Sequence, residues 1–175
     1  MVDFDIRPER SEDTTMIDIL VAAAFGSDEN SVFVEAVRRE AEVCLAEVAV
    51  AAGSIMGHAQ WCDAPIIVDG KLVKGVYLTC LAVEPALQGR GIGSRLVQSG
   101  LQRLLDRGYE PATLLGNPMY YARFGFSPEL AARIEAPHRS RGQGFQAVEL
   151  VAGALSGAVM RSDFPAVITP MGPRL

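Results

Sequence analysis

Histidine and cysteine are scarce in this chain, with two of the first and three of the second among 175 residues. The cysteines, Cys44, Cys62 and Cys80, are odd in number and lack metal-ligand spacing. That pattern excludes a disulfide framework and a thiolate metal site, and it suits a reducing cytoplasm. Each cysteine reads as a small core hydrophobe, and no metal is expected. No apolar run approaches the ~20 residues that a membrane span needs. The segment Met1-Val2-Asp3-Phe4-Asp5 is acidic and lacks the basic-then-apolar order of a secretion signal, so a cytoplasmic, non-membrane protein is expected. Positive charge is also short. Sixteen Lys and Arg against 21 Asp and Glu leave a formal charge of −5, which argues against a nucleic-acid partner, since that would require a net basic face.

What the chain does have is a glycine-rich turn in an informative place. Residues 76–83, Val-Tyr-Leu-Thr-Cys-Leu-Ala-Val, form a β-branched and apolar stretch of strand length. Gln88-Gly89-Arg90-Gly91-Ile92-Gly93-Ser94 follows, and then Ile92, Leu96, Val97, Leu101, Leu104 and Leu105 recur at helical spacing until Gly108. A glycine turn joining a buried strand to a helix N-terminus binds anions. Glycine lets the backbone approach a ligand, and the first-turn N–H groups point outward at the positive end of the helix dipole. The expected anion is a phosphate or pyrophosphate. A Walker loop is excluded, because no lysine follows a glycine in the required register. The dinucleotide fingerprint fails too, because Ser94 stands where its third glycine belongs.

The pattern Gln-x-x-Gly-x-Gly resembles the coenzyme A pyrophosphate loop of the GNAT superfamily of acyl-CoA N-acyltransferases. Tyr120-Tyr121-Ala122-Arg123-Phe124-Gly125-Phe126 resembles that family's Tyr-x-x-x-Gly-Phe segment. Leu115-Gly116-Asn117-Pro118 resembles the turn before that helix in the YhbS-like branch. The resemblance covers residues 2–151 and implies an α/β (mixed α+β) GNAT fold, a central twisted mixed sheet of about six or seven strands flanked by about four helices. Residues 1–151 would form the acetyltransferase domain, with residues 152–175 as a C-terminal extension packing on it.

The residues sketch the same order. A strand is expected over 3–7, then a helix capped by Ser11 with Met16, Ile17, Leu20, Val21 and Ala24 on its buried face. A second helix buries Val32, Phe33, Ala36 and Val37. Strands at 45–51 and 54–61 join across Ala52-Gly53, and 66–68 and 72–73 flank Asp69-Gly70, a type I′ signal. A strand at 112–115, a short helix at 118–124 opened by Pro118, and a strand at 145–151 complete the sheet.

The activity implied by the resemblance is N-acetyl transfer from acetyl-CoA to a primary amine on a small molecule, peptide or protein. Direct attack in a ternary complex is the implied route, and a non-catalytic acyl-CoA-binding module is the alternative. By position, the main chain of Leu81, Ala82 and Val83 would pair with the pantetheine, and Gln88, Gly89, Arg90, Gly91, Ile92, Gly93 and Ser94 would hold the pyrophosphate. Arg90 and Arg95 flank the loop, either to meet phosphate charge or as solvated surface. Tyr121 would protonate the departing thiolate, or else be a half-buried aromatic. Asn117 would touch the pantetheine, or cap the helix before Pro118. Residues 76–83 contain no glutamate to act as base, and Glu35, Glu47 and His138 are the remaining candidates. Glu84 reads as solvated and His58 as core. A lysine-type amine is neutral in only ~0.04% of molecules at pH 7, against roughly 14% for an α-amine, so a missing base favours a weakly basic acceptor. The loop between the first two helices, residues 25–31, and the segment 137–144 would set the acceptor; the latter is either a hairpin tip or an acceptor lid, and a homodimer is open.

Overall fold

Turn chemistry and strand alternation account for most of the sheet seen in the computed structural model, which describes residues 3–135, 144–158, 160–162, 164, 165 and 167. The chain runs β1 (Asp5–Pro8), α1 (Thr14–Phe25), α2 (Asp28–Glu40), β2 (Val43–Ala51), β3 (Ser54–Asp63), β4 (Ile66–Val68), β5 (Lys71–Val73) and β6 (Val76–Val83). It continues with α3 (Ile92–Asp106), β7 (Pro111–Leu115), α4 (Pro118–Tyr121), α5 (Pro128–Ala131), β8 (Ile134–Glu135), β9 (Phe145–Glu149) and β10 (Met160–Ser162). Ala52-Gly53 and Asp69-Gly70 have positive φ at both residues, as type I′ hairpin turns require.

Six strands form the main sheet in the order β1-β2-β3-β6-β7-β9. The β6–β7 pair is parallel and the others are antiparallel, so the sheet is mixed as expected. Helix α3 covers one face with Ile92, Leu96, Val97 and Leu104, and α1 and α2 cover the other with Ile17, Leu20, Val21, Val34 and Val37. A second sheet, β5-β4-β10-β8, adds β8 and β10 to the expected hairpin of β4 and β5. The two added strands, unanticipated, are two and three residues long, too short to leave a period-2 signal. Leu155, Met160, Phe164 and Val167 of the C-terminal segment are buried there with Ile66, Tyr77 and Phe145.

Two expected buried positions are on the surface. Met16 is 50% and Val32 60% exposed. Helix α1 (TTMIDILVAAAF) is apolar nearly all round, so its periodicity does not identify the face that packs. On α2 the buried stripe is Phe33, Val34 and Val37, one step round from Val32. Ser11 is not the cap of α1 either. Residues Ser11–Asp13 form a 3₁₀ turn leading into the helix. The Asp13 carboxylate takes both Arg7 guanidinium N–H groups at 2.6 and 2.9 Å and the Arg10 backbone N–H at 2.8 Å. The Arg7 hydrogen bonds hold the Asp13 carboxyl down at about 2. A lowered carboxyl stabilises the fold above its unfolded pKa near 3.9, and that contribution disappears as pH falls toward 2. Asp13→Asn should therefore cost about 2 kcal/mol at pH 7. It should also flatten the loss of melting temperature between about pH 4 and pH 2, as read from melts across that range.

One close approach fixes α3 on the sheet. A Cβ on Gly100 would lie 2.7 Å from Trp61 Nε1 and 3.1 Å from its Cε2. Alanine gains about 1 kcal/mol of helix propensity over glycine, but forcing a methyl into a filled core costs about 1–3 kcal/mol. The clash should win, and Gly100→Ala should melt at a lower temperature than the parent. A higher melting temperature would show that the Trp61 ring yields.

Candidate functional site

Strand β6 changes partners halfway along its length. Its register with β3 passes from Cys80↔Gln60 to Leu78↔Trp61, leaving Thr79 as the extra residue of a bulge. Its pairing with β7 ends at Leu78↔Leu114. Beyond that point β6 continues to Val83, while β7 ends at Leu115 and the chain turns through Gly116 and Asn117 into α4. The two parallel strands therefore part, and a cleft opens between them. It holds two adjoining cavities, of about 410 and 470 Å³, which share Leu81 and Tyr120.

The larger cavity lies over the glycine loop and is lined by Gln88, Gly89, Gly91, Ile92, Gly93 and Ser94. Gly91 is the residue before α3 and has φ +89°, a conformation that side-chain-bearing residues rarely adopt. Its carbonyl accepts from the Arg95 N–H at 3.0 Å, the first bond of the helix. By helix geometry the N–H groups of Ile92, Gly93 and Ser94 have no intrahelical acceptor, and no side chain caps them. The open donors of α3 thus face a cavity. Gln88 acts differently: its Nε2 donates to the Val83 carbonyl at 3.1 Å, tying the loop to the end of β6.

Two readings were open for the arginines that flank the loop, phosphate charge or solvated surface. Arg90 is exposed and Arg95 stacks 4.2 Å over the Phe4 ring; neither lines the cavity. Arg123 lines it instead, with its guanidinium 4.9 Å over the Tyr120 ring. This residue lies in the 3₁₀ turn Ala122–Phe124 that follows α4. Its place in Tyr120-Tyr121-Ala122-Arg123 is the only cue the chain carries.

The second cavity is bounded by Phe25, Asn30, Phe33 and Val34 of α1 and α2, by residues 78–81 of β6, and by residues 115–117 with both tyrosines of α4. Asn117 Oδ1 accepts from the Met119 N–H at 3.0 Å, so the residue does cap the helix while also lining the cavity. Tyr121 is buried, and burial, with Tyr120 next in effect, pushes its phenol well above the ordinary range. Tyr120 also reaches the cleft, although two consecutive helical residues diverge by ~100°. Helix α4 has only four residues and the cleft wraps around it. The two rings meet edge to face with centroids 4.9 Å apart, and Tyr120 serves both cavities while Tyr121 serves one.

Of the expected bases, neither Glu47 nor Glu35 lines the cleft. Glu47 lies under α3, where its carboxylate accepts from Arg103 at 3.0 Å and Ser99 at 3.1 Å; burial raises its pKa against the pull of Arg103. Glu35 is exposed on α2, Glu84 is half-buried past β6, and His138 lies outside the described residues, as do residues 137–143 of the proposed lid. His58 is fully buried, as expected of a core residue, and its Nε2 lies within hydrogen-bond distance, 2.8 Å, of Glu9 Oε2; Glu9 also meets Arg38 at 3.0 Å. Among the described residues, no Asp, Glu or His lines either cavity.

A mixed sheet whose parallel pair parts beside an uncapped helix N-terminus defines a site for a long phosphate-bearing ligand. Residues 5–128 match the acetyltransferase (GNAT) domain, and the chain belongs to that family. It is 34% identical over 155 residues to the uncharacterized N-acetyltransferase YhbS of Escherichia coli (strain K12), covering 87% of this chain and 90% of the relative. The solved structure of E. coli YhbS, in complex with CoA, superposes with a TM-score of 0.81 at 28% identity, covering 92% of this chain and 90% of that one. A GNAT family acetyltransferase from Brucella melitensis, in complex with acetyl-CoA, gives 0.68 at 30% identity over 84% and 88% of the two chains. The resemblance to the YhbS-like branch is thus borne out across most of the molecule.

Proposed function

We propose that this chain transfers the acetyl group of acetyl-CoA to a primary amine by direct attack within a ternary complex. The observation that carries the reading is the set of unpartnered first-turn donors of α3 facing a cavity beside a strand that has lost its neighbour. In this reading the amides of residues 89–94 hold the pyrophosphate, with Gln88 fixing the loop and Arg123, rather than Arg90, adding charge. The open main chain of Leu81, Ala82 and Val83 pairs with the pantetheine amides, which aims the thioester along β6 toward the second cavity. The spare amide of Asn117 faces the same end. Holding both reactants there supplies up to roughly 7–11 kcal/mol through effective concentration, more than any other contribution considered. Tyr121 donates to the sulfur as the C–S bond breaks. The excess of acidic residues favours a small molecule or peptide over nucleic acid as the acceptor's source, and a cytoplasmic setting, with acetyl-CoA at hand, suits it. Residues 1–151 form the transferase domain on this reading, with residues 152–175 packed on it.

The lack of a carboxylate in the cleft among the described residues also suits a module that holds acyl-CoA without turnover. Thiol release from acetyl-CoA, followed over a panel of amines, separates the two. Release that depends on the amine, with N-acetylated product, is the expected result. Tight acetyl-CoA binding without release on any amine would establish the module.

A further inference from the structure

Thioester and acceptor must share the second cavity, and its lining is selective. Phe25, Phe33, Val34, Leu78, Leu115 and the two tyrosines make it mainly apolar and aromatic. Among the described residues no Asp, Glu, Lys, Arg or His faces it; the polar side chains are Asn30, Thr79, Asn117 and the two phenols. An ammonium entering this space would lose its water and meet no carboxylate, and a carboxylate on the acceptor would meet no cation.

Thr79 is the polar group best placed to receive an amine. It is the bulged residue of β6, and its Oγ1 lies 3.0 Å from the Gln60 carbonyl and 2.9 Å from the Gln60 side-chain oxygen, while Gln60 Nε2 has no partner among the described residues. A hydroxyl has one proton, and here Gln60 takes it whichever way round the amide lies. Thr79 lines the cavity, and with its proton engaged its oxygen keeps only acceptor capacity, suited to an N–H donor.

We infer that the acceptor is a weakly basic amine, neutral at pH 7, carried on an aromatic or compact apolar group with no second charge, and that Thr79 accepts one of its N–H bonds. This rests on the acetyl-transfer reading above. The nitrogen lone pair forms the N–C bond to the acetyl carbonyl carbon, and the C–S bond breaks with its electron pair on sulfur. One proton leaves nitrogen and one arrives on sulfur, so the sum is amide plus free thiol with no net proton consumed. Such an amine needs no strong base, in agreement with the absence of a carboxylate or imidazole among the described residues of the cleft. A diamine or lysine-type amine is neutral in only ~0.04% of molecules at pH 7.

The test measures acetyl-CoA binding by calorimetry, then thiol release and N-acetyl product with 4-ethylaniline, 1,4-diaminobutane and glycine at pH 7.5. The inference expects kcat/KM for 4-ethylaniline at least ~100-fold above 1,4-diaminobutane from the neutral fraction alone, and above glycine as well, whose carboxylate would meet no cation in the cavity. Thr79→Val, which keeps the shape and removes the acceptor, should raise KM for 4-ethylaniline about tenfold, the loss of one hydrogen bond, without changing acetyl-CoA affinity. Asn30→Asp should narrow the preference over 1,4-diaminobutane by placing a carboxylate in the cavity. Preference for 1,4-diaminobutane or glycine in the parent overturns the inference while leaving acetyl transfer intact. So does tighter binding and faster turnover of octanoyl-CoA with indifference to the amine, because the apolar space would then hold an acyl chain. Absence of acetyl-CoA binding overturns both readings.

Discussion

Tyr121→Phe should lower kcat by about 10²-fold, the low end of what a positioned general acid supplies, while leaving the dissociation constant for acetyl-CoA unchanged. The hydroxyl has no hydrogen-bond partner among the described residues, and the ring packs against Gly116, where a Cβ would lie 2.5 Å from Tyr121 Cε2. Removing one oxygen therefore leaves the packing and the melting temperature near those of the parent. Burial, followed by Tyr120, holds the phenol well above its ordinary pKa. The sign matters for the pH profile. A raised pKa keeps the donor protonated as pH rises, so kcat should show no loss assignable to this phenol up to about pH 9. The same burial makes the phenol a weaker acid before the ligand enters, so much of its effect is hydrogen-bond donation to the sulfur as charge builds there. Wild-type turnover in the variant would mean that the thiolate leaves with a solvent proton and that Tyr121 is an aromatic wall.

Gly91→Val should weaken acetyl-CoA binding by at least ~100-fold, as read by calorimetry. Two effects add. The φ of +89° is strained for a β-branched side chain, at roughly 1–2 kcal/mol, and the loop relieves that strain by moving the amides of Ile92, Gly93 and Ser94 off the anion. The new side chain also enters open space, since nothing lies within 4 Å of a Cβ there; in the proposed complex that space is taken by pyrophosphate. The fold should lose only the strain energy, because no core neighbour is displaced. Gly93 is a different case. Its Cβ would sit 2.9 Å from Tyr120 Oη and 3.4 Å from Val83 Cγ2, so substitution there presses on both cavities and on the strand end. Unchanged affinity in Gly91→Val would remove the loop from the site.

The parts of the molecule that were legible in the chain are those where a local rule acts alone. The glycine loop, α3, the type I′ turn at Asp69-Gly70 and the hairpin across Ala52-Gly53 follow from backbone chemistry that tolerates few alternatives, and β2, β3 and β7 differ from expectation only at their ends. The order of elements followed from the family resemblance as much as from periodicity. Errors arose where tertiary contacts decide. Met16 and Ser11 were misplaced because α1 is apolar nearly all round and because the Asp13 carboxylate reaches back to Arg10. The cleft was legible in its main-chain half, carried by residues 81–83 and 88–94. Its side-chain half was legible in part: Tyr121, Asn117 and the stretch 25–31 with Phe25 and Asn30 were singled out, whereas Phe33 and Val34 come from α2, about 85 residues before α4, and carry no motif. Arg123 and Tyr120 were adjacent to a recognised residue yet passed over, since helical spacing alone directs attention to one face of a helix too short to have one. Glu47 shows the reverse: a strand carboxylate of the right chemistry, committed to Arg103 on the wrong side of the sheet.

The central claim is that the cleft holds acetyl-CoA, and the change in melting temperature with acetyl-CoA, beside free CoA, ATP and NAD, tests it most directly. Ligand at a hundred times its dissociation constant stabilises the fold by about 2.7 kcal/mol, a rise of several degrees for a domain of this size. The account predicts that rise with acetyl-CoA and CoA, and little with ATP or NAD at equal concentration. A larger rise with ATP or NAD, or none with acetyl-CoA, would contradict it.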